Sequence, residues 1–414
     1  MIGPGYEVDP LMVGLDPHRL ARISAHFRPY VDDGRLPGWL VLVSREGKIA
    51  YLETYGQRDG TGAPVEVDTL FRIFSMTKPV TGVAAMMCLE EGLFELNDAV
   101  SQFIPSFSDV RVWKGGSLSS PETVPATKPV RIWHLMTHTA GLVYGFTGGN
   151  PVVTSLFEEA EQAVPPGRGL AGWCDAWAGV PLLFQPGESW NYSVATDVLG
   201  RVVEVASGQR LDDFFRKRIF EPLGMNDTGF RVEAGKEKRL GATYVADAAT
   251  GAATPDSDAG TVGIHEPPYL SGGGGLVSSA SDYLRFAELL RRGGELEGAR
   301  LLAPRTVDYM TKNHLPGNAD RVGFGVPIFV DQPERDAGQG YGLGLGVMVD
   351  PLAAKTLATA GSYGWGGAAN TYFWVDPKER LTYIFLTQFF PFAAYPISER
   401  LSQLVYQAIV ADLP

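Results

Sequence analysis

Apolar and polar positions along the chain change texture three times. Near the N-terminus, residues 11–34 carry helical spacing. Residues 38–44 and 48–54 are dense runs of strand-forming residues, joined across Arg45-Glu46-Gly47, which predicts a strand pair. A short strand then leads into Phe74, and residues 80–91 read as a mostly buried helix stopped by Gly92. From about 97 to 226 the pattern breaks into short helical patches between Pro/Gly-rich loops, such as 115–129 and 165–169. One amphipathic helix is clear there, apolar at 198, 199, 202, 203 and 206 and stopped by Gly208. Strand signals return at 343–349, 371–375 and 381–387, the last two split by Asp376-Pro377-Lys378-Glu379-Arg380. Apolar positions 397, 401, 404, 405, 408 and 409 predict a closing helix over 397–410.

This layout predicts an α/β (α+β) protein. Residues 1–96 and 227–414 build one part around a sheet drawn from both chain ends and flanked by terminal helices. Residues 97–226 form a mostly helical insertion, and a site is expected in the cleft between the two. There is no internal repeat and no low-complexity tract.

Composition narrows the function. The 414 residues suffice for a sizeable core, and 45% hydrophobic with 20% charged residues is ordinary for a globular protein. A net charge of −12 argues against nucleic acid and anionic membranes as partners. The first seven residues lack the charged and apolar regions of a signal peptide, and the longest apolar stretch, around 80–89, is too short to span a bilayer. Only Cys88 and Cys174 occur, which fits a reducing, cytoplasmic setting.

The chemistry concentrates at Ser75-Met76-Thr77-Lys78. On a helix, residues three apart share a face with Cβ atoms roughly 5–6 Å apart, so Lys78 can reach the Ser75 hydroxyl. Pro79 is tolerated only in a first turn, which places Ser75 at the helix start, where the helix dipole favours developing negative charge. Tyr192-Ser193-Val194 lies just before the helix that contains Val198. A tyrosine beside a lysine can carry a phenolate, because an adjacent cation favours the charged form, and a phenolate can take and return a serine proton. Gly361-Ser362-Tyr363-Gly364-Trp365-Gly366-Gly367-Ala368 could be an edge strand whose glycines let a ligand approach the backbone.

Ser-x-x-Lys, Tyr-x-Ser and Trp-x-Gly, in this order, resemble the serine hydrolases related to class C β-lactamases and penicillin-binding proteins, and in particular family VIII carboxylesterases. Thr69-Leu70-Phe71-Arg72-Ile73-Phe74 and His134-Leu135-Met136-Thr137-His138-Thr139-Ala140-Gly141-Leu142 are similar to framework segments of that family. The resemblance runs from about residue 15 to the C-terminus. It implies a β-lactamase/transpeptidase-like fold with an antiparallel sheet. It implies Ser75 as the acylated nucleophile, Lys78 as the group that lowers the local pKa and shares the proton, and Tyr192 as main general base. The backbone N–H groups of Ser75 and Ala368 would form the oxyanion hole, and Trp365, Gly366 and Gly367 would bind substrate. Val194 and Trp365 stand where β-lactamases carry an asparagine and a lysine for the drug's amide and carboxylate. Losing polar partners costs more discrimination than losing a methylene, so an uncharged acyl substrate is expected.

The resemblance therefore implies a serine carboxylesterase for short- to medium-chain esters, with a small-molecule ester as partner and no metal or organic cofactor. Its rivals are an amidase or D-aminopeptidase, an acyltransferase, a weak β-lactamase, and a penicillin sensor that acylates and stalls. The sequence assigns no oligomeric state. His134 and His138 are spaced i, i+4 but lack the glutamate of a H-E-x-x-H zinc motif, and Gly272–Gly275 lacks the rest of a P-loop. No serine satisfies G-x-S-x-G, which argues against a nucleophile elbow. Trp133, Trp173, Trp177 and Trp190 are candidates for the cleft wall.

Overall fold

A computed structural model describes residues 7–147, 149–247, 249–256, 263–328 and 332–410. All but the last of the seven N-terminal residues, read above for a leader, lie outside the described residues. The architecture is α/β (α+β), built on a seven-stranded antiparallel sheet. Its strands are β1 (Gly38–Arg45), β2 (Lys48–Gly56), β3 (Gln339–Tyr341), β4 (Gly346–Met348), β5 (Tyr363–Gly367), β6 (Thr371–Asp376) and β7 (Leu381–Leu386). Their spatial order is β3-β4-β5-β6-β7-β1-β2. The N-terminal hairpin therefore joins the C-terminal strands through β1 and β7, with Leu40 opposite Leu386 and Arg45 opposite Leu381.

Alternation along the strands gives the sheet two apolar faces. Leu40, Leu42, Phe373, Val375 and Ile384 belong to a core with the helix Thr77–Glu90. Trp39, Val41, Trp374, Tyr383 and Phe385 belong to a second core with Phe27 and the C-terminal helix Ile397–Tyr406. With both faces covered, β1 and β7 are buried along their whole length, which explains their continuous apolar runs.

The helix expected over 11–34 is interrupted. A 3-10 turn spans Pro10–Val13, Gly14 takes φ 67°, and the α-helix proper is Arg22–Asp32. Asp16 caps a separate turn, Pro17–Leu20, and Leu15 bridges Ile409 instead of continuing a helix. The closing helix correspondingly stops at Tyr406. The run 343–349 yields a strand only at Gly346–Met348. Before it the chain leaves the sheet, because the Leu343 carbonyl packs so close to Gly82 that a Cβ there would sit 2.8 Å away. Part of the loop expected over 115–129 is a hairpin, Arg111–Ser117 with Ser120–Pro125, where Gly116 takes φ 95°.

Residues 97–226 otherwise hold helices, chiefly Pro151–Gln162, Gly169–Ala178 and Ala195–Ser207. The last packs against the helix Thr77–Glu90. Among the described residues no helix is long and apolar enough to cross a membrane.

Candidate active site

Three separate stretches of chain meet at Ser75. The strand Leu70–Arg72 pairs with Val277–Ser279 and ends in a 3-10 turn, Phe74–Met76, that carries the serine. Phe74 holds φ 43°, a strained left-handed conformation for a bulky residue, and such strain concentrates where structure over-determines a site. The helix Thr77–Glu90 then begins with Lys78, wholly buried.

A buried ammonium needs an acceptor for each of its three donors. Lys78 Nζ has them: Ser75 Oγ at 3.2 Å, Tyr144 Oη at 3.1 Å and the Gly273 carbonyl at 2.7 Å. It also lies 4.5 Å from the centre of the Tyr192 ring. Tyr192 is buried just ahead of the helix Ala195–Ser207, and Trp365 Nε1–H donates to its hydroxyl at 3.3 Å. Val194 is buried in the core and its N–H bonds the Val143 carbonyl.

β5 supplies the opposite wall. β4 pairs only with Tyr363 and Gly364, which leaves the edge at Trp365–Gly367 open. Gly367 has no space for a side chain, since a Cβ would overlap the Ile73 carbonyl and Thr371 Oγ1. That close approach brings the end of β5 against the turn carrying Ser75, and Ser75, Tyr192, Trp365, Gly366, Gly367 and Ala368 all line one cavity of about 640 Å³. The structure thus brings every predicted site residue together. It does not bring Trp133, Trp173, Trp177 or Trp190 to that cavity, whose tryptophans are Trp365 and Trp374. Trp190 is instead fully buried behind Tyr192.

Sequence reasoning missed Tyr144 and Asp197. Asp197 is buried and accepts from Ser271 Oγ at 2.5 Å, Gly273 N–H at 3.0 Å and Tyr144 Oη at 3.3 Å. Burial pushes its carboxyl above the usual range, while the Lys78 charge opposes that shift. Burial, reinforced by the Asp197 charge, raises the Tyr144 phenol well above its ordinary value. Tyr144 is therefore a neutral phenol that accepts from Lys78 and donates to Asp197. The one sequence signal was the set-aside Gly272–Gly275 run. A Cβ on Gly273 would overlap Asp197 Oδ2, so glycine there lets the backbone lie between carboxylate and ammonium.

Beyond Trp365, Arg321 lies 5.2 Å from its ring and pairs with the buried Asp336 at 2.6 Å. His138 follows the short helix Ile132–Met136 at φ 55°, so helical i, i+4 geometry with His134 does not apply. Among the described residues no cluster of metal-ligating side chains forms. His138 Nδ1 meets Ser193 Oγ, and His134 Nδ1 accepts the Arg131 N–H.

Burial first, and then the Lys128 charge, lowers His134 to about 4. A base whose folded pKa is depressed stabilises the fold above its unfolded value, near 6.5, and that stability is lost as pH falls toward 4. His134→Asn keeps an acceptor for Arg131 but cannot titrate. The variant is expected to lose less stability between pH 7 and pH 5 than the natural chain, by about 2 kcal/mol, in urea titrations at the two pH values. Equal losses would mean His134 is no acid-sensitive element.

A family model described as Beta-lactamase matches residues 23–407. An uncharacterized protein of Mycobacterium tuberculosis is 36% identical over 373 residues, covering 89% of this chain and 90% of its own. Esterase EstB of Burkholderia gladioli is 32% identical over 399 residues, covering 92% and 93%. Among solved structures, EstCE1, described as a hydrolase with promiscuous acyltransferase activity, superposes with a TM-score of 0.78 at 26% identity, covering 95% of this chain and 99% of that one.

Proposed function

The chain belongs to the Beta-lactamase family of serine hydrolases, and from that premise we propose that it is a family VIII-type carboxylesterase acting on short- to medium-chain esters through an acyl-enzyme on Ser75. The observation that carries this reading is the full set of acceptors around Lys78. An ammonium that donates to Ser75 Oγ cannot also take its proton, so the base is Tyr192 as phenolate. Lys78 Nζ lies 4.5 Å from the centre of its ring, and the Trp365 N–H donates to its oxygen at 3.3 Å.

Ser75 Oγ attacks the ester carbonyl carbon as its proton passes to Tyr192. The developing oxyanion sits on the N–H groups of Ser75 and Ala368. The carbon–oxygen bond to the alcohol then breaks, and the alcohol leaves with the proton from Tyr192. Water, deprotonated by the same phenolate, attacks the acyl-enzyme and releases the acid and free Ser75. No metal or cofactor enters these steps. The reading divides the chain into 1–96 with 227–414 and an inserted 97–226, with the site in the cleft between. Two buried free cysteines support a cytoplasmic setting.

The substrate preference follows from charge. Val194 is buried, and Arg321 beside Trp365 is paired with Asp336, so the group facing the position of a β-lactam carboxylate is an indole. Steady turnover of p-nitrophenyl acetate and butyrate, far above that of a chromogenic cephalosporin, is the expected result. Faster cephalosporin turnover would move the chain to the β-lactamase side, and one acyl group per chain with no turnover would make it a sensor. The promiscuous acyltransferase activity of EstCE1 favours a second reading, in which an alcohol replaces water at the acyl-enzyme. Ester product growing with added alcohol would support it.

A further inference from the structure

One short segment ties the two walls of the cleft together. Asp320 Oδ2 accepts the Gly338 N–H at 2.8 Å, which fastens the segment beside the edge strand β3. Further on it pairs with the stretch that carries Tyr192. The Trp190 N–H donates to the Phe324 carbonyl at 3.0 Å, and the Val326 N–H to the Trp190 carbonyl at 2.9 Å. Arg321 stands between these anchors and is 3% exposed. Its guanidinium lies 5.5 Å from the Trp190 ring and 5.2 Å from the Trp365 ring, so one cation faces an indole of each wall.

The guanidinium is itself held from the sheet side. It pairs with Asp336 at 2.6 Å and donates to Gln339 Oε1 at 3.2 Å. Asp336 in turn accepts the Ile328 N–H at 2.7 Å. Burying an ion pair often costs more in desolvation than its attraction returns, so stability is a weak reason for this one. Its effect falls on Trp365. That indole is flanked by glycines on β5, and β4 offers it Gly346, where a Cβ would press on the ring at 3.0 Å. Tyr341 meets it edge-on at 5.1 Å. A desolvated cation over the ring is the strongest of these contacts and sets the plane of the indole. The plane matters because Trp365 Nε1–H donates to Tyr192 Oη at 3.3 Å.

We propose that Arg321 is a positioning residue for Tyr192: backed by Trp190, it holds the Trp365 indole so that its N–H keeps the phenol oxygen in place. The proposal rests on the ester-hydrolase reading, in which Tyr192 moves the Ser75 proton. A misplaced oxygen slows that proton transfer and leaves ester binding as it was, so the effect belongs to kcat and not to KM. The test follows p-nitrophenyl butyrate turnover in the natural chain, Arg321→Lys, Trp365→Phe and the pair. Lysine keeps a charge beside Asp336 but has no planar fork to lie over an indole.

Arg321→Lys is expected to lower kcat per folded chain roughly tenfold with KM unchanged. Trp365→Phe leaves no N–H to hold, so adding Arg321→Lys to it is expected to change kcat by less than about twofold. A role in packing alone would lower the melting temperature and leave kcat per folded chain as it was. That outcome, or losses that multiply in the pair, would overturn the proposal and leave the esterase reading standing. Absence of butyrate turnover in the natural chain would sink both. Should Arg321→Lys not fold, Gln339→Met decides, since it removes one tether of the guanidinium and spares the Asp336 pair. Its kcat is expected to fall about threefold, and an unchanged kcat would overturn the proposal.

Discussion

Alanine at position 75 is expected to lower kcat/KM for p-nitrophenyl butyrate by roughly 10⁴-fold or more, the order seen when a hydrolase loses its nucleophile. The substitution removes one oxygen from the half-buried middle of the turn Phe74–Met76 and leaves the backbone N–H in place, so folding is preserved while covalent chemistry is not. Lys78 then keeps Tyr144 and the Gly273 carbonyl as acceptors. Circular dichroism and melting temperature should match the natural chain, and no acyl adduct should appear by mass spectrometry. Ester turnover that survives would remove Ser75 from the nucleophile's place, and with it the mechanism derived from its contacts.

Methionine at position 78 should cost about 10³-fold, within the range for loss of an acid–base group. Methionine fills the buried space but takes away the donor to Ser75 Oγ and the charge beneath the Tyr192 ring. The Ser75→Ala/Lys78→Met pair should be no slower than Ser75→Ala alone, because both act on one proton transfer. Unchanged kcat/KM in Lys78→Met would show that the ammonium takes no part in the proton transfer. Multiplicative losses in the double variant would show that the two residues act in separate steps.

Those two residues were legible because their relation is local. Three residues on a helix start put Lys78 beside Ser75 whatever the rest of the chain does. Tyr192 and Gly364–Ala368 were legible only by resemblance, since nothing in their own spacing points to residue 75. Tyr144 and Asp197 were marked only by the Gly272–Gly275 run, because 53 positions separate them and Gly273, packed beside both, is the one local trace of their meeting. Strands β1, β2, β6 and β7 stood out through dense runs of strand-forming residues. The excursion at 342–345 did not, because a tertiary contact with Gly82 overrides a local strand preference there. The break at Gly14–Asp16 was written in Gly, Asp and Pro, but helical spacing on both sides hid it.

The pairing of β1 with β7 has a consequence for how the protein is made. β1 ends at Arg45 and β7 begins at Leu381, so a growing chain exposes one edge of the hairpin β1–β2 until β7 has been synthesised. At about 5–20 residues per second, that wait lasts tens of seconds. While the nascent hairpin waits, its bare edge is a natural docking point for chaperones.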